Sequence, residues 1–187
     1  MKAAIIYSGK YGSTRQYADW LREETGIPVF PALKKVPDLA DLDFLILGSS
    51  IVVGAPTLKK WLFRHWDAIR HQPVLLFTVS GTEPGHPDLI SWLNIHLSPE
   101  MLAHFKYVPL RGRLEVKALP WWVRTLLKLA ARMSKDPEAG RRMAEGFDYM
   151  DRDSLKPILD WIAARRGAGR QEHPKPVRKP EPELAEA

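Results

Sequence analysis

Short apolar runs set apart by amphipathic stretches constrain this chain more than any other feature. The runs are "AAIIYS" (3–8), "IPVFPAL" (27–33), "DFLILGSS" (43–50), "PVLLFTVS" (73–80) and "FKYVPLRG" (105–112). Most are apolar at consecutive positions, as strands buried on both faces must be. Helical patterns separate them, from about Ser13 to Thr25, over 56–70, and from about Asp88 to His104. Pro56 fits the first turn of the second helix, and Pro99 is a candidate break in the third. Strand and helix in alternation predict an α/β protein, a doubly wound five-stranded parallel sheet in the order 2-1-3-4-5. The second run carries prolines, so it is expected near an edge. In such sheets ligands sit at the carboxyl ends of the strands where the winding reverses. Chemistry is therefore expected in the loops after strands one, three and four.

Of 187 residues, 45% are apolar and 27% charged, the make-up of an ordinary globular chain with one core. One domain is expected over 1–166, closed by a helix at 153–166 and interrupted by an insertion at 113–150. The last stretch, 167–187, has four prolines and almost no large apolar groups, so it is expected to be disordered. The chain has no cysteine, which excludes disulfides and cysteine-based metal sites or nucleophiles. No metal site is expected. No apolar run approaches the roughly 18–20 residues of a membrane span, and a strand pattern begins at once, leaving no room for a signal peptide. A cytoplasmic protein is expected, soluble or peripheral on the inner face of the cell membrane.

The loop "SGKYGST" (8–14) follows the first strand. A triphosphate loop would need Gly-Lys-Ser/Thr at its end, and a dinucleotide loop G-x-G-x-x-G; neither is present. What remains is hydroxyls and backbone N–H groups converging at a helix start, which suits a terminal phosphate monoester. The plainer alternative is that Ser13 or Thr14 only caps the helix.

In this loop the chain resembles the flavodoxins, whose phosphate loop runs from a hydroxyl residue through a short spacer to Gly-[Asn/Ser]-Thr. The resemblance implies FMN as cofactor, its phosphate held by Ser8, Gly12, Ser13 and Thr14, with Lys10 and Tyr11 contributing backbone. It places Ser49, Ser50, Ile51, Val52, Val53 and Gly54 against one face of the flavin ring. Ser80, Gly81 and Thr82 fall at its polar edge. A tight turn with its valine pair packed in the core is the alternative for 48–57. Neither ring loop carries the tyrosine or tryptophan that electron-carrier flavodoxins stack on the ring, which implies a more open face, suited to an enzyme. His86 is a candidate proton donor there; no other catalytic side chain stands out.

The +6 net charge is localised. Residues 111–142 hold nine basic and three acidic side chains, a surplus equal to that of the whole chain, so an anionic partner is expected. Within it, "LPWWVRTLLKLAARMSK" (119–135) places Trp122, Leu126, Leu129 and Met133 on one helical stripe and Arg124, Lys128, Arg132 and Lys135 opposite. Such a helix lies in a membrane interface or docks its stripe on the protein's own core. A basic, aromatic insertion late in the fold resembles that of the bacterial menaquinone-dependent protoporphyrinogen IX dehydrogenases, though "SSIVVGA" lacks the aromatic and histidine of that family's loop. This resemblance implies electron transfer from a porphyrinogen through FMN to a quinone. Arg111, Arg113, Arg124 and Lys128 are candidates for carboxylate or headgroup contact. An electron carrier, a quinone reductase and a flavin-free binding protein are the alternatives. No nucleic-acid motif is found.

Overall fold

A computed structural model describes residues 1–116, 119, 121–133, 140–141 and 144–171; of Lys128, Ala130 and 169–171 it describes the backbone only. Five parallel strands form the main sheet: β1 (Ala3–Ser8), β2 (Val29–Pro31), β3 (Phe44–Val52), β5 (Val74–Ser80) and β6 (Phe105–Arg111). They run in the order β2-β1-β3-β5-β6, with β4 (Ala55–Pro56) hairpinned onto β3. This is the predicted winding, reversing between β1 and β3. Helices α1 (Ser13–Thr25), α2 (Lys59–Ile69), α3 (Pro87–His96) and α4 (Pro99–His104) connect the strands. A closing helix, α6 (Lys156–Gln171), follows a 3-10 turn at Asp153–Leu155.

The alternation of side chains along each strand splits the core into two layers. Ala4, Ile6, Leu45, Leu47 and Leu76 meet Leu58, just before α2, and Trp61, Leu62, Leu93 and Met101 of α2 to α4. Ile5, Phe44, Ile46, Leu75 and Phe77 meet Tyr17 and Leu21 of α1 and Ile158 and Ile162 of α6. Each fully buried Leu or Ile contributes about 1.5–3 kcal/mol relative to exposure. That two-sided burial is why the strands read as unbroken apolar runs. Tyr17 adds a polar tie: its hydroxyl donates to the Arg111 carbonyl at 2.7 Å and accepts from the Asp151 amide at 3.2 Å.

Pro56 does not open a helix. It lies in β4, paired with Ile51, and α2 begins three residues later. The third helical stretch is broken as expected, with Ser98 capping α4 through a bond from the Met101 amide. The closing helix runs past Arg166 to Gln171, into the stretch expected to be disordered; residues 172–187 lie outside those described. In the insertion, β7 (Arg113–Leu114) pairs antiparallel with β8 (Phe147–Asp148), and α5 (Trp121–Met133) lies between them in sequence.

Candidate cofactor site

At the carboxyl ends of β1, β3 and β5 a cavity of ≈ 450 Å³ opens, within the size range of small-molecule sites. The first loop contributes Tyr11 and Ser13, the second Ser50, Ile51, Val52 and Val53, and the third Val79, Ser80 and Gly81. The rest of the wall is Gly112, Arg113, Leu114, Leu126, Leu127 and Phe147. The insertion therefore completes the site.

The chain turns from β1 into α1 through Gly12, whose φ of 91° is left-handed and open to glycine at little cost. No side chain caps this helix, so neither Ser13 nor Thr14 acts as the expected cap. The first intrahelical bond runs from the Gln16 amide to the Gly12 carbonyl, and the amides before it have no intrahelical partner. A helix start left in this state is a ready anion site. Ser13 and Thr14 are buried and already engaged. The Ser13 hydroxyl donates to the Arg113 carbonyl at 3.1 Å and accepts from the Arg113 amide at 2.9 Å. Thr14 shares a 2.7 Å bond with the Ser50 hydroxyl. These hydroxyls thus lock the first loop to β3 and to the insertion, and the free donors beside them are main-chain amides. Ser8 ends β1 and accepts a 2.7 Å bond from Thr57 at its carbonyl.

The second loop is a two-residue hairpin. Val53 and Gly54 both have positive φ, 51° and 72°, as a type I′ turn requires. For a β-branched residue that conformation is costly, and Val53 buries nothing in return, being 99% exposed. The valine pair is not packed in the core. Trp92 of α3 packs against Gly54 from outside the hairpin. Ser49 points away from the cavity. Its hydroxyl accepts from the Leu58 amide at 3.1 Å and donates to the Ser50 carbonyl at 3.1 Å, because adjacent strand residues face opposite ways. Of the third loop, Ser80 and Gly81 reach the cavity, while the Thr82 amide turns back to the Ser80 hydroxyl at 3.2 Å.

Two expectations change here. His86 does not reach the cavity; it caps α3, its Nδ1 accepting from the Asp88 amide at 3.2 Å. Neither ring loop brings an aromatic to the cavity, but Tyr11 of the first loop and Phe147 of β8 do. Phe147 lies so close over Gly81 that a Cβ there would sit 2.6 Å from its ring. Phe147 stacks on Tyr149 at 5.1 Å, and the Arg111 guanidinium covers Tyr149 at 3.6 Å. Nothing local to "GFDYM" announces this placement; it follows from the pairing of β7 with β8.

Of the basic candidates, Arg113 lines the cavity and bonds Glu115 at 3.0 Å, with Asp148 at 3.6 Å. Arg111 reaches Glu83 at 3.4 Å. Arg124 is exposed on α5, and the side chain of Lys128 lies outside those described. A second cavity of ≈ 410 Å³ adjoins the first, sharing Tyr11 and Arg113 and adding Lys10, Glu115, Leu119, Trp122 and Val123. Among the described residues no cluster of His, Asp and Glu is placed to hold a metal ion.

The flavodoxin domain family matches residues 4–140. Among solved structures the chain is similar to a flavoprotein from Lactobacillus acidophilus NCFM in complex with FMN, 17% identical, covering 59% of this chain and 91% of that one, with a TM-score of 0.44. The Trp repressor binding protein from Bacillus subtilis is 15% identical over 76% of this chain and 95% of its own, TM-score 0.44. RosB with its bound intermediate 8-demethyl-8-formylriboflavin-5'-phosphate is 11% identical over 100% and 98%, TM-score 0.40. No curated protein matches. On the match over most of its length, the chain belongs to the flavodoxin domain family.

Proposed function

We propose that this protein is an FMN-dependent oxidoreductase of the protoporphyrinogen-to-quinone type. One observation carries the cofactor: an uncapped helix start at Gly12 shares its loop with Tyr11 and Ser13 of an apolar cavity. The cavity's walls come from the ends of β3 and β5. A phosphate on the free amides and a flat ring between Ile51–Val53 and the Ser80–Gly81 edge satisfy both halves of that arrangement. FMN, when bound, supplies the chemistry that accepts a hydride equivalent and passes electrons on.

The chain's own residues bind, orient and exclude water. Ser13 and Thr14 hold three segments in register around the phosphate position. Val52, Val53 and Phe147 give the ring apolar surroundings, and Leu126 and Leu127 wall the cavity on the side of α5. Arg113 stands at the wall where a substrate carboxylate would approach, and its bonds to Glu115 and Asp148 fix its position. In the overall reaction each two-electron oxidation removes two hydrogens from the porphyrinogen, and the quinone gains two electrons and two protons.

The substrate class rests on the resemblance of "ALPWWVRTLLKLAARMS" to the insertion of the menaquinone-dependent enzymes. A net charge of +6 weighs against a carrier that docks on basic partners. Anaerobic turnover of protoporphyrinogen with a soluble menaquinone analogue tests this reading. Porphyrin formation stoichiometric with quinol is expected. Reduction of the bound flavin by NAD(P)H, with none by porphyrinogen, would replace it with a quinone reductase.

A further inference from the structure

Helix α5 faces the rest of the molecule through Val123, Leu127 and Ala131, its partly buried positions. Its larger apolar side chains turn outward. Trp122, Leu126, Leu129 and Met133 are 57%, 60%, 55% and 76% exposed, and Trp121 is 77% exposed. At 3.6 residues per turn the first four form one stripe. Docking of this stripe on the protein's own core, one of the two expectations from sequence, is not what is found. Arg124 and Arg132 are exposed on a third sector of the helix, which Lys128 joins by position. A helix needed only to roof a cavity gains nothing by holding four large apolar groups in water.

The charge around the stripe decides what covers it. The segment holding α5 carries the chain's entire positive surplus, so a second copy would bring like charge against like. Nucleic acid would meet the arginines and leave the stripe wet. An anionic lipid surface satisfies both: apolar side chains enter the acyl boundary, tryptophans sit at headgroup level, and arginines meet lipid phosphates. Leu126 belongs to two surfaces at once, since it lines the ≈ 450 Å³ cavity and is part of the exposed stripe.

We infer that α5 is an interfacial helix that seats the protein on an anionic bilayer surface, with the cavity it roofs opening beside the lipid. The docking stands on α5 alone. Its consequence, that a lipid-soluble electron acceptor reaches the cavity from the bilayer, rests on the FMN reading.

The test is co-sedimentation of the full chain, with and without FMN, with vesicles of phosphatidylcholine alone or mixed with phosphatidylglycerol. Binding to the mixed vesicles at least about tenfold tighter than to phosphatidylcholine is expected, weakening as salt rises, with a blue shift of tryptophan emission. Leu129→Glu with Met133→Glu, at positions lining neither cavity, should reduce vesicle binding by about tenfold or more while leaving the circular dichroism unchanged. Arg124→Glu with Arg132→Glu should abolish the preference for anionic lipid. Failure to bind either vesicle would overturn the inference. So would binding indifferent to Leu129→Glu/Met133→Glu, or a dimer that those substitutions dissolve. Vesicle binding without flavin binding would sink the proposed oxidoreductase and leave the docking intact.

Discussion

Gly12 joins backbone conformation to anion recognition at one position. With φ at 91°, a Cβ there costs about 1–2 kcal/mol and tilts the amides that follow. Gly12→Ala should lower stability by about that amount in urea unfolding and weaken FMN far more than riboflavin, which has no phosphate. Val53 poses the opposite case. Its left-handed conformation is unrepaid by burial, so Val53→Gly should stabilise the fold by about 1 kcal/mol unless the valine's contact with a flavin ring outweighs the strain, which a melt with and without FMN separates. Tyr107 is raised above the ordinary tyrosine range by burial, partly countered by its 2.8 Å bond to the Thr78 hydroxyl. The neutral phenol's stability is therefore whole below pH of about 10 and is lost as pH climbs toward the folded value. Tyr107→Phe should flatten the alkaline limb of the stability profile. At neutral pH it should cost about 1 kcal/mol through the orphaned Thr78 hydroxyl.

Between elements, the contact of Phe147 with Gly81 is where the insertion meets the parent fold. Gly81→Ala forces the ring aside, and FMN and riboflavin should weaken alike, by about tenfold (about 1.4 kcal/mol), because the ring site and not the phosphate site is disturbed. Comparing the two ligands in Gly81→Ala and Gly12→Ala thus separates the halves of the cavity. The parent elements were legible in the sequence for a physical reason. β1, β3 and β5 are buried on both faces and read as continuous apolar runs, and α1 is bracketed by Gly12 and Gly26, both left-handed. The β3–β4 hairpin was hidden because a valine stands where glycine or asparagine is the usual signal, and because Pro56 mimics a helix start. Ser50 and Ser80, expected beside the ring from their strand positions, both line the cavity. The Ser49 hydroxyl turns to the Leu58 amide instead, since only the pleat tells which of two adjacent serines faces the cavity. Phe147 could not be assigned to the site, since its approach depends on a pairing between residues over thirty apart.

For the molecule as a whole, the two core layers hold the sheet, and the strand ends and insertion share one cavity. A ligand that bridges these parts should stabilise all of them. At a hundred times its dissociation constant, FMN should add about 2.7 kcal/mol to the unfolding free energy, seen as a shift in urea midpoint with little change in slope. The basic surplus belongs to the segment that carries α5, so high salt should weaken association with anionic surfaces without lowering core stability.

On the proposed reading, one cavity pairs a phosphate grip at Gly12 with a flavin-ring site walled by the insertion. Titration of the flavin-free protein with FMN and with riboflavin, followed by flavin fluorescence, tests it most directly. FMN should bind at least about tenfold tighter than riboflavin, with Gly12→Ala removing most of the difference. Equal affinity for the two, or no affinity for either, would contradict it.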